Sequence, residues 1–468
     1  MSSPGRRPAC LDVVRAEALW GRLRESLWFL PSLMVIVAVL LGAGMVEVST
    51  LVDGEVLARW PRVFGAGPDG SRSMLAAIAG SMITVAGVTF SITMVAVTQT
   101  SAQYSPRILR NFMRDRFNQA VLGTFVGIFA YCLVVLRTIR EGGASEFVPS
   151  LAVLVGVLLA LVGVAVLIAF VHHIANTLQA SEIVSRITRD TRKVIDRLFP
   201  DSLSDRPLDV QQLCFPGAVA SNAWHPVPAP RTVYIQHYSR EALAQLATDC
   251  DLLIRVTQPA GEFVVEGRPL AWFARHPLSG GGAPAMVWRR GDVARTAAKI
   301  WVVGTHRTLD HDPAFGFRQL VDVALKALSP GVNDSTTALT CIDHLGALLI
   351  RLADRRIESG AQDAEGRLRV ITAEPGFEEL LALAVDAIRQ HARGNVAVLE
   401  RLFLTLGGVA SVVLESSRRR AVLRQVELVQ AATADTLRPG HDLAHLDEVA
   451  RRVRAEIAMA PMPEVVSS

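Results

Sequence analysis

"TVAGVTFSITMVAVTQTSAQYSPR", Thr84 to Arg107, is the stretch whose reading decides the fold. It begins apolar enough for lipid. Yet it carries Thr84, Thr89, Ser91, Thr93, Thr98, Gln99, Thr100 and Ser101, and after Ser105-Pro106 it turns basic. A helix needs ~20 mostly apolar residues to cross a hydrocarbon core of ~30 Å. Hydroxyls are tolerated there because they bond back to their own helix or to a neighbouring one. The stretch therefore reads as the second half of a membrane span, followed by an inner-leaflet loop.

The whole chain supports that reading. Its 468 residues are 50% hydrophobic, and the mean hydropathy is +0.33, too apolar for an ordinary soluble protein. Four stretches are long enough to span: Leu27 to Val46, Met74 to Thr98, Gln119 to Leu136, and Pro149 to Val171. The first is too long for a signal-peptide core and reads as an uncleaved helix. The formal net charge of +4 is small for this length and argues against a nucleic-acid binder. The five cysteines are scattered, odd in number and without a CxxC pair, which fits reduced thiols rather than a disulfide framework or zinc ribbon.

Loop charge sets the direction. Arg6, Arg7, Arg15, Arg22 and Arg24 precede the first span. Arg107, Arg110, Arg114 and Arg116 lie between the second and third, and Arg186, Arg189, Arg192 and Lys193 follow the fourth. All three groups fall on one side of a four-span arrangement, which places both termini in the cytoplasm.

On the second span Ala76, Gly80 and Thr84 repeat every four residues, the spacing at which small residues let membrane helices approach. At ~100° per residue, Ser81, Thr84, Ser91 and Thr98 share one face, with Thr89 and Thr93 off it. That face has two readings: helix packing with back-bonded hydroxyls, or the lining of a wet path built from several copies of the span. "SPRILRNFMRDRFN" reads as a short basic amphipathic helix with Arg107, Arg110 and Arg114. It is a topology signal or a contact for anionic lipid headgroups. His172 and His173 read as interfacial residues without a special role, and helical spacing continues past them through Leu198.

The remainder reads as cytoplasmic. Residues up to 230 are a Pro-rich linker. "RTVYIQHY", "DLLIRVT", "EFVVEG" and "PLAWFA" are strands, "SREALAQLATDC" is a helix capped by Ser239, and "HPLSGGGAPAM" is a loop. The strand-Gly-strand pattern resembles half of a lipoyl-type barrel-sandwich, but there is no lysine at a hairpin tip to carry the group. Asp312-Pro313 opens a helix, Ser329-Pro330-Gly331 ends it, and Asp334 or Ser335 caps the next, giving a hairpin marked by Asp312, Ser329, Asn333 and Asp334. His306, Asp310, His311 and Asp312 match no zinc or calcium spacing, so capping and turn chemistry is expected and no metal or cofactor. From Phe377 to Met459 the chain is helical, with Arg418, Arg419 and Arg420 between segments.

The expected fold is an α-helical polytopic membrane domain of four transmembrane helices. An α+β cytoplasmic region follows, with a small β-barrel or sandwich-like unit and a helical C-terminal part. The boundaries are 1–26 for a cytoplasmic segment, 27–173 for the membrane domain, 174–230 for a helical extension and linker, 231–305 for the β-rich unit and 306–460 for the helical domain.

Two stretches carry a family resemblance. "GVTFSITMVAVTQTSAQYSPRILRNF" and "RTLDHDPAFGFRQLVDVALKALSPGVNDSTTALTCIDHL" resemble the predicted bacterial membrane proteins of the domain-of-unknown-function family 2254, and the likeness runs from Leu27 to about Met459. It implies a bacterial inner-membrane protein with a cytoplasmic part, and no reaction. The residues leave two main functional expectations. One is a homo-oligomeric ion channel or transport-like protein with the second span along its path. The other is a membrane-anchored sensory or scaffolding protein. A membrane enzyme is disfavoured because GxSxG, HExxH and P-loop patterns are absent.

Overall fold

The computed structural model describes residues 28–51, 67–103, 116–140, 147–177, 179–199, 223–276, 289–353, 355, 357, 360–362, 366–392 and 394–459. The chain forms two compact units, Met1–Glu182 and Ile183–Ser468. Each is built around its own core.

The first unit contains α1 (Phe29–Leu51), α2 (Pro68–Gln103), α3 (Arg116–Thr138) and α4 (Ser150–Thr177). These overlap the four apolar stretches read from the sequence, α2 and α3 longer at both ends and α1 and α4 starting one or two residues later and running five or six further. The packing core runs along one seam of α2, through Leu75, Ala79, Met82, Ala86 and Ala96, and meets Phe125, Ile128 and Tyr131 of α3. Small residues set the spacing. A Cβ on Gly123 of α3 would lie 3.0 Å from Pro31 Cα and 2.6 Å from Met34 Sδ, so α1 and α3 touch closely where dispersion must replace the hydrophobic effect. Tyr131 spends its hydroxyl on the Ala152 carbonyl of α4 at 2.8 Å, which keeps a phenol satisfied in an apolar layer. Much of the outer surface is large and apolar, including Ile36, Leu40, Phe90, Leu161 and Ile168.

The second unit begins within α5 (Ala180–Leu198), a helix separate from α4 rather than its continuation. It continues with β1 (His225–Pro228), β2 (Val233–Tyr238), α6 (Arg240–Asp249), β3 (Leu252–Val256), β4 (Phe263–Val264), β5 (Pro269–Arg275), α7 (Arg290–Ala298) and β6 (Trp301–Gly304). Then come α8 (Pro313–Ala327), α9 (Ser335–Ala353), β7 (Gly360–Gln362), β8 (Leu368–Ile371), α10 (Phe377–Ala392), α11 (Val396–Val412), α12 (Ser416–Thr436) and α13 (His441–Met459). The strands make a five-stranded sheet ordered β1-β5-β3-β8-β7 and a three-stranded sheet ordered β4-β2-β6. All pairs are antiparallel except β3 with β8.

Several expectations change. The β-rich part is two sheets sharing a core with α6 and α7, in place of a barrel or sandwich closed within 231–305. The larger sheet takes β7 and β8 from beyond that range, because β3 needs a partner on its second edge. Residues 225–228, expected as linker, form edge strand β1, where prolines cost little because one side of the strand needs no donors. Arg418 to Arg420 lie in the first turn of α12 rather than between segments. The loop expected at "HPLSGGGAPAM" lies outside the described residues beyond His276, as does the basic run with Arg107, Arg110 and Arg114.

The count of apolar helices also changes. Among the described residues five helices are long and apolar enough to cross a membrane, and the fifth is α9. Its apolar residues recur at helical spacing and are buried within the second unit, among them Ala338, Ile342, Leu345, Leu349 and Leu352. Length and composition do not separate a buried core helix from a span.

Candidate functional site

The first candidate is the outward face of α2. Ser81, Thr84, Ser91 and Thr98 are all exposed within the single chain, while Thr89 is buried and Thr93 half-buried. Ser81 Oγ donates to the Ala77 carbonyl and Thr84 Oγ1 to the Gly80 carbonyl, each at 2.8 Å. Thr98 Oγ1 donates to Val95 O at 2.9 Å. These hydroxyls satisfy themselves on their own helix, so the face is only weakly polar. It is also open, since Gly80 and Gly87 have no atom within 4 Å of where a Cβ would stand.

The second candidate is the approach to α8. Asp312 is 2% exposed and does three things at once. Its Oδ1 accepts from Phe315 N at 3.0 Å, capping the helix that Pro313 begins. Its Oδ2 accepts from Arg307 Nε at 3.0 Å and Nη2 at 2.7 Å. It also fills the space beside Gly261, where φ is +92° and a Cβ would come within 1.9 Å of Oδ2. Only glycine serves there, on both conformational and steric grounds. Burial pushes the Asp312 carboxyl up to about 6 against the pull of Arg307 and the cap.

Around this carboxylate the small sheet meets the helices through polar groups. Gln236 Nε2 donates to His306 O at 3.0 Å. His237 of β2 stacks on His311, with ring centroids 3.8 Å apart and planes 22° from parallel. Tyr238 donates to Glu374 at 2.9 Å, and Arg240 pairs with the same carboxylate at 3.2 Å. Burial, then the Glu374 charge, raises the Tyr238 phenol.

Ser329, Asn333 and Asp334 lie at the other end of α8, so its 15 residues separate them from Asp312 by roughly 22 Å. They build a turn. Asn333 N donates to Ser329 O at 2.9 Å with Asn333 at φ 48°, and Asp334 accepts from Thr337 N at 3.0 Å to cap α9. The Thr337 bonds hold the Asp334 carboxyl below the usual range. Sequence reading found Asp312 by its capping pattern but missed Arg307 and Gly261 as its neighbours, and His237 as the neighbour of His311, because these pairings are made by β2 and the 257–262 turn. Among the described residues no group of three or more His, Cys, Asp or Glu is placed to hold a metal ion. The helical core holds a cavity of about 10 Å³ lined by residues such as Leu345, Leu402 and Leu406, room for no more than one water.

An assembly of long apolar helices joined to a sheet-and-helix unit defines an α-helical membrane protein. The chain belongs to the family described as predicted membrane protein DUF2254, whose model matches residues 24–407. The uncharacterized protein Rv1290c of Mycobacterium tuberculosis (strain ATCC 25618 / H37Rv) is 33% identical over 424 residues, covering 89% of this chain and 78% of the relative. The uncharacterized protein Mb1321c of Mycobacterium bovis is similar to the same extent, 33% over 424 residues with the same coverage of each chain. No solved structure matches.

Proposed function

We propose that this protein is a homo-oligomeric, transport-like protein of the bacterial cytoplasmic membrane, with α2 facing the other copies around a shared path and the second unit acting as its regulatory part. The observation that carries this reading is the open face of α2, where Gly80, Gly87, Ser81, Thr84, Ser91 and Thr98 have no cover from α1, α3 or α4. Helices in lipid associate through such small and hydroxyl-bearing faces, because lipid provides no hydrophobic drive. Four of the apolar helices span and α9 does not, on this reading. α9 carries Asp343, His344 and Arg351, and it ion-pairs with Arg401 at 3.2 Å and with Asp196 at 2.8 Å, which are costly groups for a bilayer core. On this reading both termini are cytoplasmic, as the basic segments flanking the spans favour, and anionic headgroups are the partners that Arg107, Arg110 and Arg114 would attract.

Flux of ions through purified protein in liposomes tests it. Native protein should conduct, and Thr84→Val and Ser91→Leu should change the flux. No flux in either voltage direction, across several salts and pH values, from protein shown to be folded and inserted would overturn the reading. A membrane-anchored sensory or scaffolding role would then take its place, which the exposed Ser329–Asp334 turn and the polar approach to α8 favour.

A further inference from the structure

We propose that the stacked pair His237–His311 is an acid-responsive joint between the three-stranded sheet and the start of α8, closed while both rings are neutral and opened when either takes a second proton. This inference does not depend on what the membrane helices do.

The geometry carries it. The rings lie face to face at 3.8 Å, one on β2 and one in the loop that leads through Asp312 into α8. A neutral imidazole has one donor and one acceptor, whereas an imidazolium has two donors that both need acceptors. His237 Nδ1 is buried with no hydrogen-bond partner among the described residues. A charged His237 would therefore leave a buried donor unmet, and a second proton on His311 as well would set two cations face to face.

The surrounding charges do not cancel this. Glu241 of α6 and Asp310 of the loop favour a charged His237, and Arg197 of α5 opposes it. For His311, Glu241 favours the charge, while His237, Arg197 and Arg240 oppose it. In both rings burial is the largest effect and lowers the pKa, in His311 to about 4. The unfolded chain takes its protons near pH 6.5. The joint is therefore fully closed above that pH and loses stability as pH falls toward 4.

The Asp312–Arg307 pair lies in the same loop and would feel the loss of the stack. Its own titration has the opposite sign, because the folded pKa is raised to about 6. The two contributions are separable by substitution.

The test is hydrogen exchange by mass spectrometry on the full chain in lipid nanodiscs at pH 7 and about pH 4, corrected for intrinsic rates. Native protein should show at least tenfold faster opening at acid pH in peptides covering β2 and the first turns of α8. His237→Phe with His311→Phe keeps a stack of rings that cannot titrate, and it should abolish that acid step. Asp312→Asn should keep it. An acid step of the same size in the folded double variant, or none in the native protein, would overturn the proposal. Histidine-labelled NMR of the native chain is the check that needs no variant. Both rings should titrate below the free value together with the exchange step, and titration of both near 6.5 without loss of protection would count against the joint.

Discussion

At the scale of single residues, Asp312 concentrates the chemistry of the second unit. It is a buried carboxylate with a cap donor and a two-pronged arginine, in a space that only a glycine at 261 leaves free. Its raised folded pKa means that its stabilisation is complete below the unfolded value of 3.8 and is lost as pH rises through about 6. Asp312→Asn keeps an acceptor for Phe315 N and removes the titration. The difference in thermal midpoint between variant and native protein should therefore shift in the variant's favour as pH is raised from about 4 to 7. Asp312→Ala removes the cap as well and should cost about 1 kcal/mol more than the asparagine variant, read from the same melting curves. The capping pattern Asp-Pro was legible in the sequence because it is local. The buried state of the carboxylate was not, because burial depends on turn 257–262 and on Arg307 arriving together.

At the scale of elements, helix ends decide how the second unit holds together. The last carbonyls of α9 lack intrahelical donors, and Arg418 Nη1 donates to those of Leu352 and Ala353 at 3.3 and 2.9 Å and to that of Arg355, just past the helix, at 3.0 Å. The same guanidinium lies over the Phe377 ring at 5.4 Å. Arg418→Ala should destabilise the protein by about 2 kcal/mol and speed amide exchange in the last turn of α9. Arg418→Lys should restore it only in part, because a single ammonium cannot hold these carbonyls together with the Glu415 carboxylate that Nε meets at 2.9 Å. Thermal denaturation with exchange mapping checks both. In the sequence this arginine is one of a run of three that reads as lying between helical segments. Only its place in the first turn of α12, beside the end of α9, gives it a role.

At the scale of the whole molecule, the question is which apolar helices meet lipid. If α9 belongs to the core of the second unit and that unit is cytoplasmic as proposed, a thiol at Ala347, an exposed position on α9, is reached only from the cytoplasm. An impermeant maleimide should label Ala347→Cys in inverted vesicles and leave it unmodified in intact spheroplasts. Labelling from neither side would place α9 in the membrane, and labelling from outside would place the second unit on the outer side; either would remake the topology.

The four long apolar stretches, the capped starts of α6 and α8 and the family to which the chain belongs were legible in the sequence alone. Those features are written in local composition and short periods, which physics reads over one or two helical turns or one bilayer thickness. The tertiary structure alone decided that β3 recruits β8 from more than a hundred residues away, that 225–228 is an edge strand, that α9 has its apolar stripe among other helices, and that His237 meets His311. Each is a choice of partner between distant segments. A residue's neighbours in sequence carry its propensity, but only the packed chain fixes which distant group it faces.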